Sequence, residues 1–142
     1  LFTQNILYSP SFFVSNCDIL IDANYSDILN YHKINENKIT MITSLKSFKV
    51  PYGIVDLDDS GLIKKTREKP EYNHLINTGM YVVEPELLEF IPDGEFFHIT
   101  ELIEICIDKG FKVGTYPVSE DSWLDMGQFD EMDNMLQKLG VQ

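Results

Sequence analysis

The sequence predicts an α/β fold in which a mixed, mainly parallel sheet is flanked by helices and carries one inserted β-hairpin. Short apolar runs alternate with segments whose apolar residues recur at helical spacing. Two further apolar segments enclose the turn Asp58–Gly61, which predicts the hairpin. The chain has 142 residues, 44% of them hydrophobic, without an evident linker, repeat or low-complexity tract. We therefore expect a single domain over residues 1–142 with a core of its own.

The first predicted unit is a strand, a helix and a second strand. The apolar run Phe12–Asn16 predicts a buried strand, and the β-rich run Ile39–Thr43 predicts the next one. Between them, an apolar helix face is formed by Tyr25, Ile28, Leu29 and His32. Asp22 or Asn24 is placed to cap this helix, and His32 is expected to be structural. Such a unit is expected to be right-handed, with parallel strands.

The middle of the chain is predicted to be mostly β-structure. The two hairpin strands are Tyr52–Leu57 and Leu62–Arg67, and a third strand covers Leu75–Val83. Pro85 suits the first turn of a short helix over Glu86–Ile91.

The last third returns to alternating helix and strand. A helix is predicted over Ile99–Lys109, followed by a strand over Lys112–Val118 and a closing helix over Phe129–Leu139. Gly110 is suited to end the first of these helices. The segment Leu1–Ser11 has a weak pattern, typical of a frayed helix or the remnant of a longer element.

Charge and cysteine content narrow the class of partner. The chain has 11 Lys and Arg against 23 Asp and Glu, a net charge of -12, which disfavours nucleic acids and anionic membranes. No apolar run approaches the roughly 20 residues of a membrane span. Cys17 and Cys106 form no disulfide framework; each is expected to be a small buried residue, and a cytoplasmic location follows most simply.

Two aspartates follow predicted strands at opposite ends of the chain. Asp18 ends the first apolar run, and Asp125 follows the last predicted strand after a short bend. Ligands of open α/β sheets bind at the carboxyl ends of strands, and two carboxylates suit Mg²⁺, which keeps waters and substrate phosphates as further ligands. The alternative is structural, with Asp18 capping a turn and Asp125 capping the final helix.

Further polar segments lie between the aspartates, and each has a structural alternative. Glu68-Lys69-Pro70 could present a lysine to a phosphate and a glutamate to sugar hydroxyls, or form a solvated strand end. Asn77–Gly79 interrupts a strand, as a close ligand approach or a plain bulge would, and Tyr52-Gly53 has the same character. Trp123 is either core or ligand platform. No zinc-type histidine pair and no nucleophile–base arrangement is visible.

Taken in order, five segments resemble the sugar nucleotidyltransferase family, the nucleoside-diphosphate-sugar pyrophosphorylases. These segments are Phe13–Asp18, Pro51–Val55, Glu68–Pro70, Asn77–Tyr81 and Trp123–Gly127. The resemblance implies part of a Rossmann-like domain. It also implies an enzyme that transfers a nucleotidyl group from a nucleoside triphosphate to a sugar 1-phosphate, giving a sugar nucleotide and pyrophosphate.

The resemblance also implies a role for each matched residue. Asp18 and Asp125 match magnesium-binding aspartates, and Lys69 matches the lysine that contacts the sugar phosphate; these three form the catalytic set. Positions around the sugar are matched by Gly53, Glu68, Asn77, Gly79, Tyr81 and Trp123.

Two departures from the family pattern qualify this expectation. Cys17 stands where the family usually has glycine, close to the expected sugar phosphate. The glycine-rich Gly-x-Gly-Thr-Arg-type loop that grips the triphosphate is not present, so the chain is expected to be the sugar-phosphate and metal part, inactive by itself. An exposed sheet edge is then expected to favour a homo-oligomer. The alternative function is a non-catalytic sugar-phosphate-binding, scaffold or regulatory subunit.

Overall fold

The computed structural model describes residues 10–125 and 127, and its centre is a four-stranded sheet. The strands are β1 (Phe12–Ser15), β3 (Ile39–Lys49), β6 (Glu71–Val83) and β7 (Val113–Val118), in the order β1-β6-β3-β7. Both β1 and β3 pair with β6 in antiparallel fashion, while β3 and β7 are parallel. Three of these four strands therefore run in one direction, although two of the three pairings are antiparallel, and the prediction of an α/β fold with a mixed sheet is confirmed.

The expected strand–helix–strand unit is present, but its strands are not neighbours. β1 and β3 run parallel and are connected through α1 (Tyr25–Ile34), yet β6 lies between them and pairs with both. Leu75–Val83 was predicted as a strand, and the structure extends it to 13 residues. Because β6 is this long, it pairs along nearly all of β3, and its last residues also pair with β1.

Helices cover the two faces of this sheet, and alternation along β6 divides the core between them. Tyr81 and Val83 pack with α2 (Ile99–Asp108), in a cluster that includes Leu102 and Cys106. Met80 and Val82 face the opposite way, into a cluster with Ile28 of α1. Successive side chains of a strand point to opposite faces, so β6 anchors both layers.

The helix ends follow local capping chemistry. Asn24 is the N-cap of α1, and its side-chain oxygen accepts from the Ser26 N–H at 3.0 Å, which decides between the two predicted caps. α2 begins after His98, whose backbone N–H donates to Glu101 Oε1 at 3.2 Å. The short helix predicted after Pro85 is a 3₁₀ helix over Pro85–Phe90. The predicted helix Phe129–Leu139 and most of Leu1–Ser11 lie outside the described residues.

The predicted hairpin is present as a separate two-stranded sheet. It consists of β4 (Ile54–Leu57) and β5 (Ile63–Arg67). Asp58 organises the turn, because its Oδ1 accepts from Ser60 Oγ at 2.6 Å and from Leu62 N at 3.0 Å. These hydrogen bonds, the one from Ser60 first, lower the pKa of Asp58.

Two three-residue strands were not predicted. β2 (Ile19–Ile21) pairs in antiparallel fashion with β8 (Trp123–Asp125), bringing distant parts of the chain together. The register places Ile19 opposite Asp125 and Ile21 opposite Trp123. This small sheet brings Asp18 and Asp125 close together.

His32 is structural, as predicted. It is fully buried, with Nδ1 2.8 Å from Thr40 Oγ1 and Nε2 3.0 Å from Glu84 Oε1. Ser11 Oγ donates to the same Glu84 oxygen at 2.6 Å. Burial raises the pKa of Glu84, but the hydrogen bonds from Ser11 and His32 outweigh it, and the pKa lies below its ordinary value. The network joins α1 to the sheet.

The expectation for the cysteines is half right. Cys106 is buried in the core, and this burial raises the pKa of its thiol. Cys17 is exposed, so its predicted burial is wrong: the chain leaves β1 after Ser15 and turns at the surface before β2 begins.

Within the described part of the chain, no helix has the length and apolar character of a membrane span.

Candidate functional site

An open cleft of about 180 Å³ lies where β1, β2, β8 and the middle of β6 meet. It is lined by nine residues: Asn16, Asp18, Ile19, Asn77, Thr78, Gly79, Tyr81, Trp123 and Asp125. Six of these nine were predicted as site residues from the sequence. The fold therefore gathers segments from the beginning, middle and end of the described chain around one opening.

The carboxylates of Asp18 and Asp125 face the same point in this cleft. A Cβ built on Gly127 would lie 3.0 Å from Asp125 Oδ1 and 3.5 Å from Asp18 Oδ2. The pairing of β2 with β8 causes this meeting, since it sets Ile19 opposite Asp125 and leaves Asp18 one residue away. Asp125 Oδ1 also accepts from the Gly127 N–H at 2.9 Å, so it caps a turn as well as lining the cleft.

A bulge in β6 forms the floor of the cleft. Between the pairs Met41–Tyr81 and Thr43–Asn77, the single residue Ile42 of β3 faces three residues of β6. Gly79 takes φ +83° there, a left-handed conformation that favours glycine. The extra length is held in place, because Thr78 Oγ1 donates to the Ile42 carbonyl at 2.8 Å.

Asn77 is fixed in place by two hydrogen bonds. Its Oδ1 accepts from the Gly79 N–H at 2.9 Å, and its Nδ2 donates to the Tyr81 hydroxyl at 2.7 Å. Tyr81 is only 3% exposed and packs in the core, so its hydroxyl is a fixed partner for the Asn77 amide. A preorganised amide of this kind can hold a hydroxyl group of a ligand with little loss of side-chain entropy.

Trp123 packs against the core and also lines the cleft. The core contacts of its ring are with the cluster around Ile28 and Met80. Lys46 Nζ lies 5.7 Å from the ring centroid, within the range of a cation–π contact. The indole N–H is buried without a hydrogen-bond partner among the described residues.

The other three predicted site residues form a second group outside the cleft lining. Glu68 packs on Gly53: a Cβ on Gly53 would lie 2.8 Å from Glu68 Oε2. Lys69 is exposed and takes a left-handed φ of +43°, between Glu68 and Pro70. The structure therefore joins Gly53 with Glu68, but Gly53, Glu68 and Lys69 do not line the 180 Å³ cleft.

Three lining residues were not predicted as site residues: Asn16, Ile19 and Thr78. Asn16 covers the bulge, since its backbone N–H donates to the Gly79 carbonyl at 3.0 Å and its amide lies over the Gly79 Cα. Thr78 lies at the cleft because of the bulge, and Ile19 because of the position of β2. Both the bulge and β2 depend on long-range strand pairing. Only the polar character of Asn16 beside Asp18 could have suggested its position.

The donor set of the cleft fits a hard divalent cation that brings other ligands with it. Within residues 10–125 and 127, no cluster of three or more His, Cys, Asp or Glu side chains could enclose a metal. Two convergent carboxylates at an open cleft match Mg²⁺, which commonly binds one or two carboxylates and completes its octahedron with water and phosphate oxygens. Zn²⁺ sites in proteins usually include His or Cys ligands, and neither residue type is among the nine that line the cleft.

Comparison with known proteins identifies the family. The model of the family described as nucleotidyl transferase matches residues 2–140. The chain belongs to this family. UTP–glucose-1-phosphate uridylyltransferase of Synechocystis is 31% identical over 132 residues, which cover 87% of this chain and 34% of the relative. Mannose-1-phosphate guanyltransferase beta-A of Xenopus laevis is 32% identical over 132 residues, covering 90% of this chain and 35% of the relative.

Solved structures support the fold of this nucleotidyl transferase family member. The crystal structure of HddC from Yersinia pseudotuberculosis has a TM-score of 0.62 at 16% identity, covering 96% of this chain and 60% of that one. At this identity the likeness establishes the Rossmann-like α/β fold alone. The chain spans about a third of the length of the curated relatives described above.

Proposed function

We propose that the chain provides the sugar-phosphate- and cation-binding part of a sugar-1-phosphate nucleotidyltransferase. The reaction joins a sugar 1-phosphate to the nucleotidyl group of a nucleoside triphosphate and releases pyrophosphate. The observation that carries this proposal is the convergence of the Asp18 and Asp125 carboxylates on one point of an open cleft. Family membership and the names of the two relatives support the choice of substrates.

The chemistry requires positioning and charge neutralisation more than a protein nucleophile. A phosphate oxygen of the sugar 1-phosphate forms a bond to the α-phosphorus, the bond from that phosphorus to the bridging oxygen breaks, and pyrophosphate leaves. Mg²⁺, when bound, neutralises phosphate charge and orients the reacting groups. Asp18 and Asp125 hold this cation, Lys69 meets the sugar phosphate, and Asn77 orients the sugar with Gly79, Tyr81, Trp123, Gly53 and Glu68 around it.

The proposal extends to the state in which the protein works. We place the triphosphate on a nucleotide-binding part outside this chain, so the chain alone is inactive. Among the described strands, β1 pairs on one side only, with β6, and such an edge can pair with a second copy. A cytoplasmic homo-oligomer is the form we propose.

Calorimetric titration tests the proposed binding function on this chain itself. Glucose 1-phosphate and mannose 1-phosphate are titrated with and without Mg²⁺, and we expect at least one to bind about tenfold more tightly with the cation. With UTP or GTP added, no pyrophosphate release is expected from the chain alone. A sugar 1-phosphate affinity that does not change with Mg²⁺ would contradict the cation site. Rapid pyrophosphate release would contradict the proposal that the triphosphate binds outside this chain.

A further inference from the structure

Lys69 has a backbone conformation that its own sequence does not favour. Its φ of +43° lies in the left-handed region, and it precedes Pro70, a position that normally requires extended backbone. A non-glycine residue stays in such a conformation only when its surroundings hold it there. The contacts on either side of Lys69 must therefore restrain the turn.

Both sides of the turn are held by identifiable contacts. After Lys69, the carbonyl of Pro70 accepts from the Val50 N–H at 3.0 Å. Before it, the carboxylate of Glu68 fills the open face of Gly53. These contacts restrain the two ends of the turn. A third restraint, on the chain between β5 and β6, comes from Arg67.

Arg67 provides this restraint, because it joins the hairpin to the start of β6. Its Nη2 donates to both carboxylate oxygens of Asp56, at 3.1 and 3.0 Å. Its guanidinium carbon lies 5.8 Å from the centroid of the Tyr72 ring. Asp56 belongs to β4 and Tyr72 to β6, so the arginine bridges two separate sheets across the strained turn.

The strength of this bridge comes from the combination of contacts. The side chains of Arg67 and Asp56 are 38% and 43% exposed, and an ion pair of that exposure contributes little by itself. The ring of Tyr72 and the pairing of Arg67 with Ile54 restrain the same residue. Arg67 Nε is buried without a partner among the described residues, so its planar group is confined as well as charged.

We propose that Arg67 is a positioning residue: bound to Asp56 and in cation–π contact with Tyr72, it holds Lys69 in the left-handed conformation that directs the lysine toward the sugar phosphate. This inference rests on the proposed function for the role of Lys69. It assigns to Arg67 no contact with the substrate. Removing the arginine should release the turn and let Lys69 return to an extended conformation.

The test compares Arg67→Met, which keeps the length of the side chain, with Lys64→Met, which removes an exposed charge from the same strand. Backbone Cα and Cβ chemical shifts of Lys69, measured by NMR, report its left-handed conformation. We expect Arg67→Met to move these shifts toward extended values and to weaken Mg²⁺-dependent binding of the sugar 1-phosphate about fivefold. Arg67→Lys should restore part of both effects, and Lys64→Met should change neither.

Unchanged Lys69 shifts in Arg67→Met would overturn the inference, as would a changed shift pattern with unaltered affinity. If Arg67→Met does not fold, Asp56→Asn decides the question by the same two measurements, since it keeps the arginine and removes its anchor. If the unaltered chain binds neither sugar 1-phosphate, the proposed function fails, and the Lys69 shifts alone decide the positioning role.

Discussion

Replacing Asp125 by asparagine is expected to lower turnover of the complete protein about a thousandfold, because the proposed Mg²⁺ would lose one of its two carboxylate ligands. Asparagine has nearly the same shape, and its Oδ1 can still accept from the Gly127 N–H, so the turn should be retained. Initial rates of pyrophosphate release at saturating sugar 1-phosphate, with thermal unfolding measured in parallel, check both expectations.

Asp59→Asn is the matched control for this substitution. Asp59 is an exposed aspartate in the hairpin turn, so the same change of charge there should leave turnover unchanged. Full activity of Asp125→Asn would contradict a catalytic role for this carboxylate. The absence of turnover in the unaltered complete protein would favour the alternative function, a scaffold or regulatory subunit that binds sugar phosphate without catalysis. Loss of activity together with loss of folding would instead show that Asp125 has a structural role.

Gly79→Ala is expected to lower the free energy of unfolding by about 3 kcal/mol, which is large for a single methyl group. A left-handed backbone costs an alanine about 1–2 kcal/mol. The new Cβ would also lie 2.6 Å from Asn16 Nδ2 and 3.0 Å from Asn16 Cγ, so the asparagine must move into the cleft. Chemical denaturation measures the loss of stability, and weaker sugar 1-phosphate binding should accompany it.

Gly61→Ala separates the two causes. Gly61 has nearly the same φ, +84°, but a Cβ there would meet nothing within 4 Å. It should therefore lose only the backbone part, about 1 kcal/mol. Equal losses at the two glycines would show that the packing of Asn16 over the bulge contributes nothing.

Local chemistry made the regular elements predictable. The turn Asp58–Gly61 joins the two hairpin strands because the Asp58 carboxylate accepts hydrogen bonds from the backbone of the turn and from Leu62, a signal contained in five consecutive residues. The helix Tyr25–Ile34 follows from its apolar spacing and from the Asn24 cap. Such signals lie within one element and need no knowledge of its neighbours.

The arrangement of the site depends on long-range pairing, which spacing does not reveal. β2 and β8 have three residues each and form by pairing with one another. Three residues are too few to show the apolar alternation that identifies a strand in a sequence. The insertion of β6 between β1 and β3 leaves no mark in the sequence of any one strand. The resemblance supplied six of the nine residues that line the cleft, and the pairing of β2 with β8 explains why Asp18 and Asp125 meet.

The end of β1 at the surface makes the expectation of a buried Cys17 wrong. A cysteine after an apolar run is usually buried, but burial depends on where the strand ends. β1 stops at Ser15, and the following residues turn at the surface before β2. Cys17 is therefore exposed beside the cleft, between Asn16 and Asp18.

Paramagnetic titration with Mn²⁺, a substitute for Mg²⁺, tests most directly whether Asp18 and Asp125 share one cation. Broadening of NMR signals falls steeply with distance from the ion, so the amides of Asp18, Asp125 and Gly127 should broaden first, and Mg²⁺ should reverse the effect. Asp125→Asn should weaken this broadening at Asp18 as well. Broadening centred elsewhere on the acidic surface, with these three amides unaffected, would contradict the shared site.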